Sequence, residues 1–315
     1  MRGWTYFSLI LVACGPAPTD DTLPTARWAH AANQASADFS ARWRDGRAEV
    51  AAYRGTVMRY GAARDAEAVL VYVTEPLDRR TLIKDDDAPA SERLDVLKLN
   101  FALRLQTGIY PYSVLTSVFA PIDAYDGERF SPAKITLGEQ DWCGGTFAAI
   151  WPDRHALVER SHSYFASEGD VAARTEVPGG ALYEDALYIQ LRELDGPFAG
   201  GAEWRGAIIP SLWHARRDHH AIVPATGRIT REETTERTRF TMRLDDGYER
   251  TFDVGPAPDR PLLAFHSSGG DDFRLVGRER LAYWELHDLG EESYRAQLGI
   301  ARGLEILPST ATGPQ

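Results

Sequence analysis

The chain has 315 residues, 43% of them hydrophobic and 26% charged, the proportions of an ordinary globular protein. Thirty-five Lys plus Arg stand against 46 Asp plus Glu, a net charge of −11 at pH 7. A net-acidic surface repels phosphate backbones and anionic headgroups, which argues against nucleic acid as a partner.

The first residues set an address. Arg2 gives a positive start, and Trp4 to Ala13 is an apolar run broken only by Thr5 and Ser8. A run this short cannot cross a bilayer as a helix, which takes roughly 20 apolar residues. Positive start, short apolar core and small residues are the layout of an export signal. Leu11-Val12-Ala13-Cys14 resembles the lipobox of bacterial lipoproteins. That resemblance implies cleavage after residue 13, lipidation of Cys14 and attachment to a membrane, with palmitate among the acyl chains. Gly15 after the cysteine, in place of Asp, implies the outer membrane. Residues 14–25 read as a tether rich in Pro, Thr and Asp. Residues 26–307 read as one β-rich globular domain, with a dividing point between two halves near 167–180, and 308–315 as a frayed tail.

Ala26 to Arg44 is Ala-rich and predicts a helix closing at Asp45-Gly46. Arg47 to Tyr60 predicts a strand. Ala68 to Thr74 is a continuous apolar, β-branched run, which predicts a strand buried on both faces. Leu77 to Arg93, with Asp85-Asp86-Asp87, reads as a polar break. In Leu97 to Leu105, Leu97, Leu99, Phe101, Leu103 and Leu105 alternate with Lys98, Asn100, Ala102 and Arg104, which puts five apolar side chains on one face of a strand. Further strands are predicted at Tyr112–Ala120, Thr146–Trp151, Ala156–Phe165 and Glu233–Phe240, with a second polar break at Ser167–Gly180.

Tyr183, Leu187, Leu191 and Leu194 recur at helical spacing, which predicts a helix with Glu184, Asp185, Gln190 and Arg192 on its surface. Asp245-Asp246-Gly247 is a three-residue hairpin loop that would place Leu244 opposite Tyr248, Met242 opposite Arg250 and Phe240 opposite Phe252. Pro261–His266 and Phe273–Val276 flank Ser268-Gly269-Gly270-Asp271, a second hairpin. Glu291–Leu298 predicts a short helix. The fold class expected is mostly β with a minor α component: an antiparallel sheet or partly open barrel packed on one or two helices.

The chemistry-bearing residues are few. Cys143, in Asp141-Trp142-Cys143-Gly144-Gly145, is the lone thiol once Cys14 is acylated. As a nucleophile it would need a histidine such as His155 or His162 beside it. A buried cysteine next to a packed tryptophan is the expectation with more weight, because no electropositive setting is visible. His214, His219 and His220 lack metal-site spacing, since on one strand His214 and His220 would lie about 20 Å apart; they read as exposed loop histidines. Asp85 to Asp87 lacks the spacing of a calcium loop. Glu203, Glu232, Glu233 and Glu236 give no assignable acid–base pair. Tyr110, Tyr112 and Trp142 sit at strand ends, where they either line a groove for an apolar or glycan ligand or pack into the core.

Ala68–Glu75, Val96–Asn100, Thr107–Ser113 and Asp141–Gly144 together resemble a family of uncharacterised bacterial lipoproteins, some of whose members carry the label "septum formation inhibitor Maf". The resemblance spans roughly residues 47 to 285. This chain contains no Ser-Pro-Arg-Arg-like phosphate loop and opens with an export signal, so what the resemblance implies is an envelope lipoprotein of unknown role, without carrying over the nucleotide pyrophosphatase activity of true Maf proteins. The function expected is a membrane-anchored binding module for an envelope protein, glycan or apolar ligand, with no cofactor and no metal. The alternative is an envelope hydrolase or transferase using Cys143 or a histidine-lined pocket.

Overall fold

The computed structural model describes residues 23–28, 35–122, 130–194 and 201–300. Cys14 and most of the expected tether, the signal segment 1–13 and the tail 308–315 lie outside the described residues. Among the described residues, no helix is long and apolar enough to cross a membrane.

The fold is mostly β. Its strands are β1 (Ala48–Arg59), β2 (Ala62–Asp78), β3 (Arg93–Thr107), β4 (Tyr110–Pro121), β5 (Lys134–Gln140), β6 (Gly145–Pro152), β7 (Ala156–Ser163), β8 (Asp170–Glu176), β9 (Leu182–Tyr183), β10 (Glu203–Ile209), β11 (Ala225–Glu233), β12 (Thr238–Leu244), β13 (Glu249–Val254), β14 (Leu262–Ser267) and β15 (Asp272–Leu281). They form one sheet in the order β8-β7-β6-β5-β4-β3-β2-β1-β15-β14-β13-β12-β11-β10-β9. From β1 to β8 each strand pairs antiparallel with the one before it, and β10 to β15 do the same. The two meanders meet where β1 pairs with β15, from Ala48 opposite Leu281 to Thr56 opposite Asp272. Only the short β9 runs parallel to its neighbour. The sheet does not close into a barrel: β8 and β9 remain its two edges.

The sheet curls tightly. Phe101 on β3 and Phe265 on β14 are four strands apart, about 19 Å if the sheet were flat, yet their ring centroids are 5.6 Å apart. The curl encloses α2 (Glu184–Glu193), whose residues from Glu184 to Arg192 are all buried. Phe101, Phe252 and Phe265 pack edge-on around its Tyr188, with centroids 5.1–5.4 Å away. A helix wrapped on every side has no solvent face, which corrects the expectation that Glu184, Asp185, Gln190 and Arg192 lie on the surface. Each buries a polar group that needs a partner. Gln190 donates to the Phe130 carbonyl at 3.3 Å. Arg192 pairs with Glu49 at 2.8 Å, both side chains 1% exposed. Two more helices plug the curl: α1 (Ala37–Trp43), capped by Ser36, and α3 (Leu212–Arg217), capped by Ser211. Phe39 and Trp43 of α1 reach Phe130 and Tyr72.

The alternation over Leu97–Leu105 lies inside β3, with Leu97, Leu99, Leu103 and Leu105 buried. The hairpin at Asp245–Gly247 has the expected register, Phe240 opposite Phe252 and Met242 opposite Arg250, with Gly247 at φ +95°. Ala68–Thr74 lies in β2, but its outward residues Val69 and Val71 are only half-buried, partly covered by Leu298 and Ile300. Several expectations need correction. Ser167–Gly180 is not a break, since it contains β8. Glu233–Phe240 is not one strand: it holds the end of β11, a turn in which the Thr234 N–H donates to the Arg237 carbonyl, and the start of β12. Ala26–Arg44 is a single 3-10 turn at Thr25–Trp28 and then α1, with residues 29–34 outside the described set. The C-terminal helix is α4 (Ser293–Gln297).

Candidate functional site

Strand direction gathers chemistry at one end of the sheet. The β1–β2, β3–β4, β5–β6 and β7–β8 turns all fall at that end, and so does α3 with the loop that follows it. Each turn carries an aromatic or large apolar side chain. Tyr60, Ile109, Trp142 and Tyr164 are 60%, 81%, 69% and 63% exposed.

The aromatic side chains at this end form a ribbon of two groups, Tyr60, Tyr110, Tyr112 and Trp142 in one and Tyr164 with Phe165 in the other, adjoining at Gly144. Tyr60 and Tyr112 share a hydroxyl–hydroxyl hydrogen bond of 2.6 Å, and Tyr110 donates to Tyr60 at 3.3 Å. Tyr110 lies 5.8 Å from Tyr112 and 6.4 Å from Trp142, centroid to centroid. The Arg59 guanidinium covers both Tyr60 and Tyr112 and donates to the Tyr112 hydroxyl at 3.1 Å. Burial, foremost, pushes the Tyr112 phenol up, while its hydrogen bonds with Tyr110 and Tyr112 hold the Tyr60 phenol below its ordinary value. Tyr164 then packs on Gly144 so closely that a Cβ there would lie 2.5 Å from its ring, so the turn after Trp142 requires glycine. Phe165 closes the ribbon against Tyr164, His219 and the Arg216 guanidinium.

Behind the ribbon lies a cavity of about 320 Å³ between the β6–β8 edge and the α3 loop. Pairing places Leu137, Ala148, Ser161 and Val171 in one row across β5 to β8, with Glu159 one row along the same face. Leu212, Ala215, Arg216, His219 and Ile222 make the opposite wall. Arg216 is held by Glu139 at 3.0 Å and Glu168 at 3.1 Å. Burial alone would raise Glu168, but hydrogen bonds from Ser163 and His219 and the Arg216 charge outweigh it, and its pKa is lowered. Glu159 differs: burial raises it, opposed only by a 2.9 Å hydrogen bond from the Ser161 hydroxyl.

Beneath both features a buried ionic network ties α2, α3, β13 and the β14–β15 turn together. His214 bonds Asp271 through Nε2 at 3.0 Å and the Tyr248 hydroxyl through Nδ1 at 2.7 Å, with Glu184 at 3.3 Å. Arg250 reaches Asp271 at 2.6 Å and Glu184 at 3.2 Å, and Arg217 reaches Asp271 at 3.2 Å. Burial works against His214 and Glu184 in their charged forms, yet the opposite charges win. His214 is raised, and Glu184 is lowered to about 2 by His214 and Arg250. Asp185 makes no ion pair: burial, with the Glu184 charge adding to it, pushes it up to about 6 against hydrogen bonds from the Leu212 amide and the Ser211 hydroxyl and the more distant His214 charge.

Of the residues singled out from sequence, Tyr110, Tyr112 and Trp142 come together in the ribbon. Tyr112 is buried and Trp142 exposed, so the strand-end aromatics divide between core and surface. Cys143 is exposed, not buried beside a packed tryptophan. Its turn is built by Asp141, whose Oδ1 accepts the Cys143 and Gly144 amides, and this lifts residues 142 and 143 off the sheet. Neither His155 nor His162 bonds the thiol; His162 pairs with Asp170. His219 and His220 are exposed as expected, but His214 is buried at 6% exposure because α3, not a loop, carries it into the ionic network. Asp85–Asp87 is a turn in which Asp86 pairs with Lys84. Among the described residues no group of three His, Cys, Asp or Glu is placed to hold a metal.

Tyr60, Arg59, Tyr164, Glu159 and the ionic network escaped the sequence reading. A signal for the ribbon existed: an aromatic at or beside every second hairpin turn, at 60, 110, 142 and 164. The network had none, since its partners are up to 87 positions apart. Comparison with family models, curated proteins and solved structures found no match.

Proposed function

We propose that the chain is an envelope lipoprotein, held to the outer membrane through Cys14, that binds a ligand and does not transform it. The observation that carries this reading is the aromatic ribbon. Large apolar side chains are costly to leave in water, and monomeric proteins rarely expose them contiguously without a partner. Here the ribbon is also pre-set, because Arg59, Tyr112 and Gly144 fix its rings before anything binds, which lowers the ordering cost of association. Flat faces edged with phenol hydroxyls suit a glycan, whose C–H faces stack on rings while its hydroxyls bond the phenols.

Two measurements test the reading. Radiolabelled palmitate should enter the protein, and Cys14→Ser should release it from the membrane fraction. Titration with soluble peptidoglycan and lipopolysaccharide oligosaccharides should quench tryptophan fluorescence, and Trp142→Ala with Tyr110→Ala should abolish binding at unchanged circular dichroism. Oligosaccharide binding that survives the double substitution would remove the ribbon from the account. Failure of every glycan, alongside capture of an envelope protein dependent on the same two rings, would replace glycan by protein.

A further inference from the structure

We propose that the cavity behind the ribbon is a second binding site, for a small amphipathic amine whose ammonium pairs with Glu159. Its apolar body would lie against Leu137, Val171, Leu212 and Ile222. The site and its chemistry are separate from the ribbon reading, and each stands if the other fails.

Charge decides the ligand class. Glu159 and Glu168 line the cavity, Glu139 stands directly behind Thr146, and Arg216 is the single guanidinium among them. Arg216 bonds Glu139 and Glu168. Glu139 is thus partnered by Arg216, and Glu168 by both Arg216 and His219. Glu159 is the carboxylate left without a cation: among the described residues its one polar partner is the Ser161 hydroxyl. A desolvated carboxylate facing an apolar cavity is costly unless a cation completes it. An anion entering here would meet Glu159 at close range, and a neutral molecule would bury it unpaired. An ammonium restores the missing charge and donates to Glu159 and to the Ser161 oxygen at once.

Shape agrees with charge. A volume near 320 Å³ lies at the small end of ligand sites. The row Leu137, Ala148 and Val171 facing Leu212, Ala215 and Ile222 gives two apolar walls for a ring or short alkyl chain. No covalent step is involved.

Isothermal titration of the full lipoprotein in a neutral detergent, with three matched probes, tests the proposal. The expectation is that 2-phenylethylamine binds, 2-phenylethanol binds roughly tenfold or more weakly, and 3-phenylpropanoate does not bind. Glu159→Gln should cost the amine at least about tenfold and erase its advantage over the alcohol. Ile222→Trp, which fills the cavity, should abolish amine binding, while Trp142→Ala should leave it unchanged. Absence of amine binding to the wild-type protein, equal binding of the three probes, or an undiminished amine affinity in Glu159→Gln would each overturn the proposal. The wild-type comparison needs no variant, so a substitution that fails to fold does not leave the question open.

Discussion

Asp185→Asn should stabilise this protein, and by an amount that depends on pH in a prescribed way. Glu184 and Asp185 are adjacent buried carboxylates at the start of α2, and they divide the available partners unequally. Glu184 takes His214, Arg250, Tyr248 and the Ser211 amide. Asp185 is left with the Leu212 amide at 3.0 Å and the Ser211 hydroxyl, and burial pushes its pKa from 3.8 up to about 6. A folded-state pKa above the unfolded one means that the folded protein holds the proton more tightly. The contribution is therefore fully favourable below pH 3.8 and is lost as pH rises through 6. About two units at about 1.4 kcal/mol each gives a penalty of about 3 kcal/mol above that range. Asparagine keeps the acceptor for Leu212 N–H and never ionises. Urea denaturation at pH 4, 6 and 8 should show the variant and the wild type equal at the first, diverging at the second, and separated by up to about 3 kcal/mol at the third. A gap that does not change with pH, or a variant that is less stable at pH 8, would refute the assignment of a strained carboxylate at this position.

Asp271→Asn should act in the opposite sense. It leaves Arg250, Arg217 and His214 facing a neutral amide in the interior, a loss of about 3–5 kcal/mol by denaturant unfolding. Gly55→Ala should weaken the junction of the two meanders, because a Cβ at residue 55 would lie 1.8 Å from the Asp272 carbonyl oxygen. Overpacking against backbone costs about 1–3 kcal/mol or more, read as a lowered Tm. In a Cys14→Ser protein, the exposed Cys143 should react with a thiol reagent without denaturant, whereas a buried thiol would need unfolding first.

What could be read from the sequence followed local periodicity. The alternation in β3 and the Asp245–Gly247 turn are set by neighbours a few residues apart, so their strands and register were legible. β8 was not: Asp170-Val171-Ala172-Ala173-Arg174-Thr175-Glu176 is an edge strand, half-exposed on one face and exposed on the other, so no hydrophobic pattern marks it. The polar side of α2 misled for a related reason. Glu184 and Arg192 look like surface residues until Arg250 and Glu49, from distant strands, come round to pair with them. Tyr110, Tyr112 and Trp142 were visible as candidates because aromatics at turns stand out, but their union depends on which turns share an end of the sheet. Cys143 was misjudged because burial of a turn residue depends on whether its loop folds back, and here Asp141 turns it outward.

The β1–β15 junction has a consequence for how the chain must be made. Ala48 pairs with Leu281, so the partner of the first strand lies more than 230 residues downstream and leaves the ribosome long after it. Local hairpins from β1 to β8 can form as they appear, but the free flank of β1 stays open until β15 has emerged. Such distant pairing slows folding, and an unpaired strand flank invites association with other chains. A holding chaperone acting on the nascent polypeptide would therefore have most to protect at Ala48–Thr56.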